Sequence, residues 1–173
     1  HSAQVHEFLN PTIIHDPFLL PDMKRAVVRI IKAIKEKEKL AIFGDFDTDG
    51  VTGTAVLAQT FKNIGAEAIP YIPNRITEGH GLNNDSIKHL HSLGISVLIT
   101  VDCGSTSVQE IQFAESCGID VIVTDHHSIS EITPHALAII NHNRIDSKYP
   151  FRGLAGVGLA FKLAQAIYIE LGI

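Results

Sequence analysis

Short apolar runs alternate with helical patterns along most of the chain, and this alternation constrains the fold more than any other feature. Runs rich in β-branched residues predict strands at 40–43, 68–72, 96–101, 120–124 and 138–140. Segments with helical spacing lie beside them, at 22–34, 51–64, 84–93, 107–117 and 154–171. Strands that alternate with helices of about 10–15 residues are typical of βαβ units. The sequence therefore predicts an α/β fold, a mainly parallel β-sheet flanked by helices on both faces.

Particular residues mark the predicted ends of these helices. Gly65, Gly94 and Gly118 each follow a helical segment, where glycine readily takes the left-handed conformation that ends a helix. Asp22 is expected to cap the first helix. Residues 3–21 contain several prolines and are expected to be irregular, and the leading His-Ser pair is interpreted as a remnant of cloning.

Length and composition indicate one globular domain over residues 1–173. A hydrophobic content of 45% is enough for a proper core. The apolar stretches are interrupted well before the ~20 residues that a membrane span needs, so no membrane association is expected. Cys103 and Cys117 suit neither a zinc ribbon nor a disulfide framework, which favours a reducing cytoplasm.

Acidic clusters follow three of the predicted strands directly. They are Asp45, Asp47 and Asp49 after the first strand, Asp102 after the third, and Asp125-His126-His127 after the fourth. Right-handed crossovers place the loops after parallel strands at one edge, where ligands bind in open α/β sheets. Carboxylates gathered there repel one another unless cations neutralise them. Oxygen ligands with one or two imidazoles suit Mn²⁺ or Mg²⁺, and several carboxylates can bridge two ions that activate water against a phosphoester.

Simpler interpretations exist for each cluster. A single aspartate after a strand is often a turn former or a helix cap, as Asp49 before Gly50 could be. His126 and His127 taken alone could be solvated loop residues. The D-x-D-x-D-G pattern also opens an EF-hand loop, but that loop needs a glutamate where Val56 stands and a helix before it, so a calcium loop is excluded. The formal charge of −5 neither supports nor excludes a phosphate-bearing partner, because the five aspartates account for it.

Four motifs, in this order and spacing, resemble those of RecJ-type proteins of the DHH phosphoesterase family. They are Ile-Phe-Gly-Asp-Phe-Asp-Thr-Asp-Gly-Val-Thr-Gly-Thr at 42–54, Arg-Ile-Thr-Glu-Gly-His-Gly-Leu at 75–82, Thr-Val-Asp-Cys-Gly at 100–104 and Val-Thr-Asp-His-His at 123–127. The segments at 138–141, 149–150 and 154–162 extend the resemblance over residues 10–170. Asp-His-His alone is a weak signal, whereas the ordered set is strong.

The resemblance implies a 5′-to-3′ exonuclease that acts on single-stranded DNA in repair and recombination, with two Mn²⁺ or Mg²⁺ ions. Asp47, Asp49, Asp102 and His126 would bind metal. Asp45 would bind metal or support a ligand, and His127 would face the scissile phosphate or complete a metal site. These residues would support hydrolysis by a water whose pKa the cations lower. Other repair proteins are possible partners.

Further residues are expected to orient the site or bind substrate. Asp125 is expected to orient a histidine through its ring N–H. Arg75 could grip a phosphate or be a solvated loop arginine, and Glu78 with Gly79 lies in the same candidate substrate loop. Gly156, at the start of the last helix, could leave N–H groups free for a phosphate, although close packing of helix on sheet explains it as well. His80 and His142 are expected to be solvated or structural.

Some features depart from the family pattern. His80 stands where tyrosine is common and His142 where proline is common. The family carries a further metal-binding aspartate and a second domain beyond the last helix found here, so the chain is interpreted as a fragment whose metal site is incomplete. Two other functions stay open: a DHH-type hydrolase of oligoribonucleotides, cyclic dinucleotides or pyrophosphate, and a non-catalytic replication scaffold.

Overall fold

A five-stranded parallel β-sheet forms the centre of the computed structural model, which describes residues 5, 8–10 and 14–173. The strands are β1 (Lys39–Gly44), β2 (Ala68–Tyr71), β3 (Ile95–Val101), β4 (Asp120–Thr124) and β5 (Ala138–Ile140). Their order across the sheet is β2-β1-β3-β4-β5, and every neighbouring pair is parallel. The predicted parallel sheet is therefore confirmed.

Five helices longer than one turn cover both faces of the sheet in the described part of the chain. They are α1 (Met23–Glu36), α2 (Thr48–Asn63), α3 (Asn84–Ser92), α4 (Val108–Ser116) and α5 (Gly156–Leu171). α1, α2 and α5 contribute to one buried apolar cluster, in which Ile30, Phe61 and Leu163 are fully buried. α3 and α4 contribute to a second cluster, with Leu90 and Ile111. Helices therefore cover both faces of the sheet, as predicted, and each face has its own core.

The boundaries of α2 and α5 differ from the prediction. α2 begins at Thr48, because the Asp47 carboxylate accepts hydrogen bonds from the N–H groups of Asp49 (2.9 Å) and Gly50 (3.0 Å). Asp47 is thus the helix cap, and Asp49 lies in the first turn. α5 begins at Gly156, two residues later than the predicted start. Glycines follow α2, α3 and α4 in the left-handed conformation, as predicted.

Asp22 does not cap α1, so that prediction was wrong. Its backbone has a left-handed φ of 55°, and its side chain makes no capping hydrogen bond. Instead, its carboxylate accepts hydrogen bonds from the Ile139 N–H (3.1 Å) and from Arg144 (2.5 Å), which ties the start of α1 to edge strand β5.

The predicted irregular segment lies partly outside the described residues. Residues 1–4, 6, 7 and 11–13, which include the His-Ser pair interpreted as a remnant of cloning, belong to that undescribed part. Pro17–Leu19 form a short 3-10 helix, so this stretch is more regular than predicted. Across the described residues, no helix is both long enough and apolar enough to cross a membrane.

The sheet order reverses between β1 and β3. β2 lies on one side of β1, whereas β3, β4 and β5 extend from the other side. In open α/β sheets of this order, ligands bind beyond the carboxyl ends of the strands at the point of reversal. The loops after β1 and β3 lie at that point.

Candidate metal centre

The ends of three neighbouring strands are aligned by their backbones. The Asp45 N–H donates to Val101 O (3.1 Å), the Asp102 N–H donates to Thr124 O (2.9 Å) and the Asp125 N–H donates to Ile140 O (3.2 Å). The sheet ladder therefore extends by one residue at each strand, and that residue is an aspartate every time. The side chains lie in the protein rather than in solvent, with exposed fractions of 2%, 2% and 1% for Asp45, Asp102 and Asp125.

Glycine allows the first acidic loop to turn tightly into α2. A Cβ on Gly50 would lie 2.3 Å from the carbonyl oxygen of Asp45, so the helix can approach the strand end only without a side chain there. Gly53 faces α5 in a similar way, because a Cβ added there would lie 3.2 Å from the Cα of Val157. The two helices therefore pack closely beside the acidic loop.

Asp49 joins the first acidic loop to the start of α5. Its carboxylate accepts hydrogen bonds from the N–H groups of Gly156 and Val157, both at 2.6 Å. The first N–H groups of a helix have no partner within the helix, and they carry the positive end of its dipole. The carboxylate satisfies two of these groups and is held in one orientation by them.

Asp102 lies at the centre of the cluster. Its backbone is strained, and its carboxylate is repelled by other negative charges. Its backbone has a left-handed φ of 62°, a conformation that aspartate tolerates better than most residues. Burial, followed by the negative charges of Asp49 and Asp47, raises the pKa of Asp102 to about 7. Its buried Oδ1 makes no hydrogen bond with any described residue. A cation beside this oxygen would supply the missing partner and relieve the repulsion.

The two histidines approach the cluster from the loop after β4. His126 Nε2 lies 3.0 Å from Asp102 Oδ1 and 3.6 Å from Asp49 Oδ2, and the contact with Asp102 Oδ1 is not a hydrogen bond. His127 Nδ1 lies 2.7 Å from Asp125 Oδ1. Although burial opposes protonation, the hydrogen bond to Asp125 raises the pKa of His127. The Nε2 of His127 is then the ring nitrogen left for another partner.

Asp125 is held ionised by its neighbours. Burial opposes its charged form, but the N–H groups of Ser105 (2.9 Å) and His127 (3.1 Å) donate to it and lower the pKa of Asp125. A buried carboxylate that accepts a ring N–H fixes the tautomer and the orientation of that imidazole. The contact fits the orienting role that the sequence predicts for Asp125, and that role stays a prediction.

Two sets of candidate ligands share one carboxylate. The ligand atoms of Asp45, Asp47 and Asp102 lie within 4.8 Å of one another, and so do those of Asp102, His126 and His127. A carboxylate common to two sets suits a pair of divalent cations, which in two-metal sites are about 3.5–4 Å apart. The donor set is mostly oxygen with imidazole, which fits Mn²⁺ or Mg²⁺. All seven predicted residues of the three clusters meet here, including Asp49, whose carboxylate lies beside His126.

Arg75, in the candidate substrate loop, contacts Phe46 of the first acidic loop. The Arg75 guanidinium lies 5.1 Å from the centre of the Phe46 ring, and it makes no hydrogen bond with the described residues. Glu78 instead holds the loop together: its carboxylate accepts hydrogen bonds from the Asn74 N–H (2.8 Å) and from the Tyr71 hydroxyl. Gly79 has a φ of 82°, which other residues rarely adopt. Within the described part of the chain, Arg75 is thus free to bind a ligand, whereas Glu78 is occupied.

Gly156 packs against the site instead of offering a free N–H. Its N–H is taken by Asp49, and a Cβ on this residue would lie 2.6 Å from Asp102 Oδ1. Close packing therefore explains this glycine better than the alternative of a phosphate bound at the start of α5.

Other residues of the site were not predicted from the sequence. His80 was expected to be solvated or structural, yet its Nδ1 lies 2.8 Å from Asp45 Oδ1 and its ring contacts Phe46. Asn141 and Asn143 donate hydrogen bonds to the loop that carries the two histidines. Asn141 follows β5 directly, so its place at a strand end was a signal that could have identified it.

Known proteins share this architecture and these motifs. The model of the DHH family, N-terminal domain, matches residues 39–172. The single-stranded-DNA-specific exonuclease RecJ of Bacillus subtilis (strain 168) is 44% identical over 170 residues, which cover 98% of this chain and 22% of that protein. RecJ of Escherichia coli (strain K12) is 40% identical over 149 residues, covering 86% of this chain and 26% of that protein.

Solved structures match in the same way. A crystal structure of exonuclease RecJ bound to manganese superposes with a TM-score of 0.81 at 31% identity, over 89% of this chain and 39% of that chain. RecJ from Thermus thermophilus in complex with Mn²⁺ gives a TM-score of 0.75 at 29% identity, over 89% of this chain and 22% of that one. The chain thus spans about a quarter of the length of the two curated relatives, at 22% and 26%.

Proposed function

The chain belongs to the DHH family, and from this premise we propose that it forms the metal-dependent core of a 5′-to-3′ exonuclease that acts on single-stranded DNA. The relatives described above are named as exonucleases specific for that substrate. The observation that carries the proposal is the position of Asp102, whose carboxylate is common to both sets of candidate ligands and has a buried oxygen without a hydrogen bond to the described residues.

Two Mn²⁺ or Mg²⁺ ions would fit the two ligand sets. Asp45, Asp47 and Asp102 would hold one ion, and Asp102, His126 and His127 would hold the other. Asp49 lies beside His126 and would contribute through its Oδ2, the oxygen nearest that ring. When bound, such ions lower the pKa of a water molecule and neutralise the charge that develops on a phosphoester. Solved RecJ structures contain Mn²⁺ or Mg²⁺, which supports this choice.

The side chains of the site have separate tasks in this proposal. Asp125 holds the Nδ1 of His127, which would leave the Nε2 of this ring to bind the metal or the phosphate. Asp49 keeps the start of α5 against the acidic loop and so keeps the site closed on that side. Arg75 would grip a phosphate of the strand, because its guanidinium is held over Phe46 and its N–H donors are not used by the described residues.

We also propose a cellular compartment and a class of partner proteins. We place it in the cytoplasm, among repair and recombination proteins that would supply or consume its single-stranded substrate. Cys103 and Cys117 are free thiols, which suits a reducing compartment. Residues 1–173 would contribute one catalytic domain to the function.

Degradation of labelled DNA tests the proposal. The full-length protein should shorten 5′-labelled single-stranded DNA from its 5′ end as Mn²⁺ is titrated in, and it should leave double-stranded DNA largely intact. An Asp47→Asn variant should lose most of this activity. Asparagine is a good helix cap, so this change removes the charge while the start of α2 is retained. Asp85→Asn, at an exposed position in the first turn of α3, is the matched control.

Other outcomes would favour the alternatives. Cleavage of a cyclic dinucleotide, a dinucleotide or pyrophosphate with no shortening of DNA would identify a hydrolase of small phosphoesters. An absence of both Mn²⁺ binding and cleavage would favour a scaffold and would overturn the proposal. Full activity in the Asp47→Asn variant would refute the assignment of the site.

A further inference from the structure

The two histidines of the candidate metal centre are connected through their backbone to the segment after β5. β4 and β5 pair in register up to Thr124 and Ile140, and the Asp125 N–H adds one more hydrogen bond to Ile140 O (3.2 Å). Beyond this point the backbone ladder ends, and side chains from 141–143 make the connections instead. The loop that carries His126 and His127 is therefore fixed from the side of edge strand β5.

Each histidine carbonyl accepts a hydrogen bond from its own asparagine. Asn141 Nδ2 donates to His127 O at 2.9 Å, and Asn143 Nδ2 donates to His126 O at 2.6 Å. Asn141 also orients its neighbour, because its Oδ1 accepts the Asn143 N–H at 2.8 Å. The two amides therefore act as one unit on two consecutive carbonyl groups.

Asn141 is also linked, through Ser105, to Asp125, the carboxylate that is hydrogen-bonded to the His127 ring. Its Nδ2 makes a second hydrogen bond, to Ser105 Oγ at 3.0 Å, and the Ser105 N–H donates to Asp125 at 2.9 Å. Asp125 in turn accepts from the His127 ring. The ring and the backbone carbonyl of His127 are thus fixed by one connected network.

The surroundings leave Asn141 a single orientation. It is fully buried, and both its amide nitrogen and its amide oxygen are hydrogen-bonded. Turning the amide over would bring two oxygens together at His127 and leave buried donors and acceptors unsatisfied, which is costly. Asn143, by contrast, is exposed, so its hydrogen bond to His126 can be removed with little effect on packing.

We propose that Asn141 and Asn143 are positioning residues that set the direction of the His126 and His127 imidazoles toward Asp102. This inference rests on the proposed function only in so far as those imidazoles bind metal. Groups that orient metal ligands without touching the metal typically change its affinity about 10- to 100-fold when they are removed. A merely structural role in the edge of the sheet would change stability and leave metal affinity as it was.

The test compares Mn²⁺ affinity in full-length variants, measured by calorimetry without DNA. Asn143→Ala should weaken Mn²⁺ binding about tenfold while the melting temperature of the metal-free protein stays close to that of the wild type. Asn143→Gln keeps the donor on an exposed, adaptable side chain and should restore most of the affinity. Asn63→Ala is the matched control, because this exposed asparagine is hydrogen-bonded to Gln59 and Tyr168, far from the site in the chain.

A second measurement separates this inference from the proposed function. The ring nitrogen resonances of His126 and His127 in the metal-free protein should shift in Asn143→Ala and stay unchanged in Asn63→Ala. Asn141→Ala should shift them further, where the variant folds. If the wild type binds no Mn²⁺, the metal-site proposal fails, and the ring resonances still decide the positioning role. Unchanged resonances together with wild-type Mn²⁺ affinity in Asn143→Ala would overturn it.

Discussion

Gly156 lies so close to Asp102 that a side chain at this glycine would occupy the space of the carboxylate. A Cβ there would be 2.6 Å from Asp102 Oδ1 and 2.7 Å from Asp102 Cβ. The start of α5 therefore forms one wall of the acidic site, and it does so without contributing a side chain of its own.

We expect Gly156→Ala to damage the site and to destabilise the fold by about 1–3 kcal/mol, as overpacking of a filled interior does. The methyl group would push Asp102 away from the other ligands, so Mn²⁺ affinity should fall at least tenfold. Gly158→Ala is the control on the same helix, because its added Cβ would meet only the flexible side chain of Leu154 at 3.2 Å. Calorimetry and urea unfolding would measure both effects, and equal behaviour of the two variants would contradict the prediction.

The charge of the Asp49 carboxylate should raise the pKa of Asp102 by a measurable amount. Burial is the largest cause of the raised pKa of Asp102, and the charge of Asp49 comes next. Asp49→Asn removes that charge, so the pKa of Asp102 should fall from about 7 but stay above the ordinary value of 3.8, since burial remains. A carbon-detected NMR titration of the metal-free protein would follow it. Asp85→Asn, at an exposed position of α3, should leave the titration unchanged.

Stability without metal should depend on pH through Asp102. Its folded pKa of about 7 lies above the ordinary value of 3.8, so the folded state keeps a proton that the unfolded state releases. This contribution is complete below about pH 4 and is lost as the pH rises toward 7. In EDTA, the stability of Asp102→Asn relative to the wild type should therefore increase between about pH 5 and pH 8, as measured by urea unfolding. Saturating Mn²⁺ should stabilise the wild type and remove most of its loss at high pH.

Arg75 should affect DNA binding without affecting metal binding. Removing one phosphate contact should raise KM for single-stranded DNA about tenfold and lower the salt dependence of binding by about one unit of slope. Mn²⁺ affinity should stay at the wild-type value in Arg75→Ala. Arg25→Ala is the matched control, since this exposed arginine lies near the amino end of β4, at the opposite edge of the sheet. A loss of Mn²⁺ affinity in Arg75→Ala would show that the loop shapes the metal centre instead.

The fold and the meeting of the acidic clusters were predictable because they depend on regular backbone geometry. Parallel strands end at one edge, so Asp45, Asp102 and Asp125 must be neighbours wherever the strands pair in this order. That Asp47 and not Asp49 caps α2 was not predictable, because it depends on which carboxylate reaches the first turn of α2 and which reaches α5.

Contacts from irregular segments also escaped prediction. His80 comes from a loop without periodicity, so no pattern indicated that it would reach Asp45. Asp22 has the sequence position of a helix cap, but Arg144 and Ile139 compete for its carboxylate from 117 residues or more away in the chain. Such choices depend on distant partners whose positions only the folded chain defines.

The hydrogen bonds between Asp49 and α5 also have a consequence for synthesis on the ribosome. Asp49 is made 107 residues before its partner Gly156. At a synthesis rate of roughly 5–20 residues per second, about 5–20 seconds pass between the synthesis of Asp49 and that of the helix that fixes it. A nascent chain that ends before α5 therefore has Asp49 without these two hydrogen bonds, which form only once the start of α5 has left the exit tunnel.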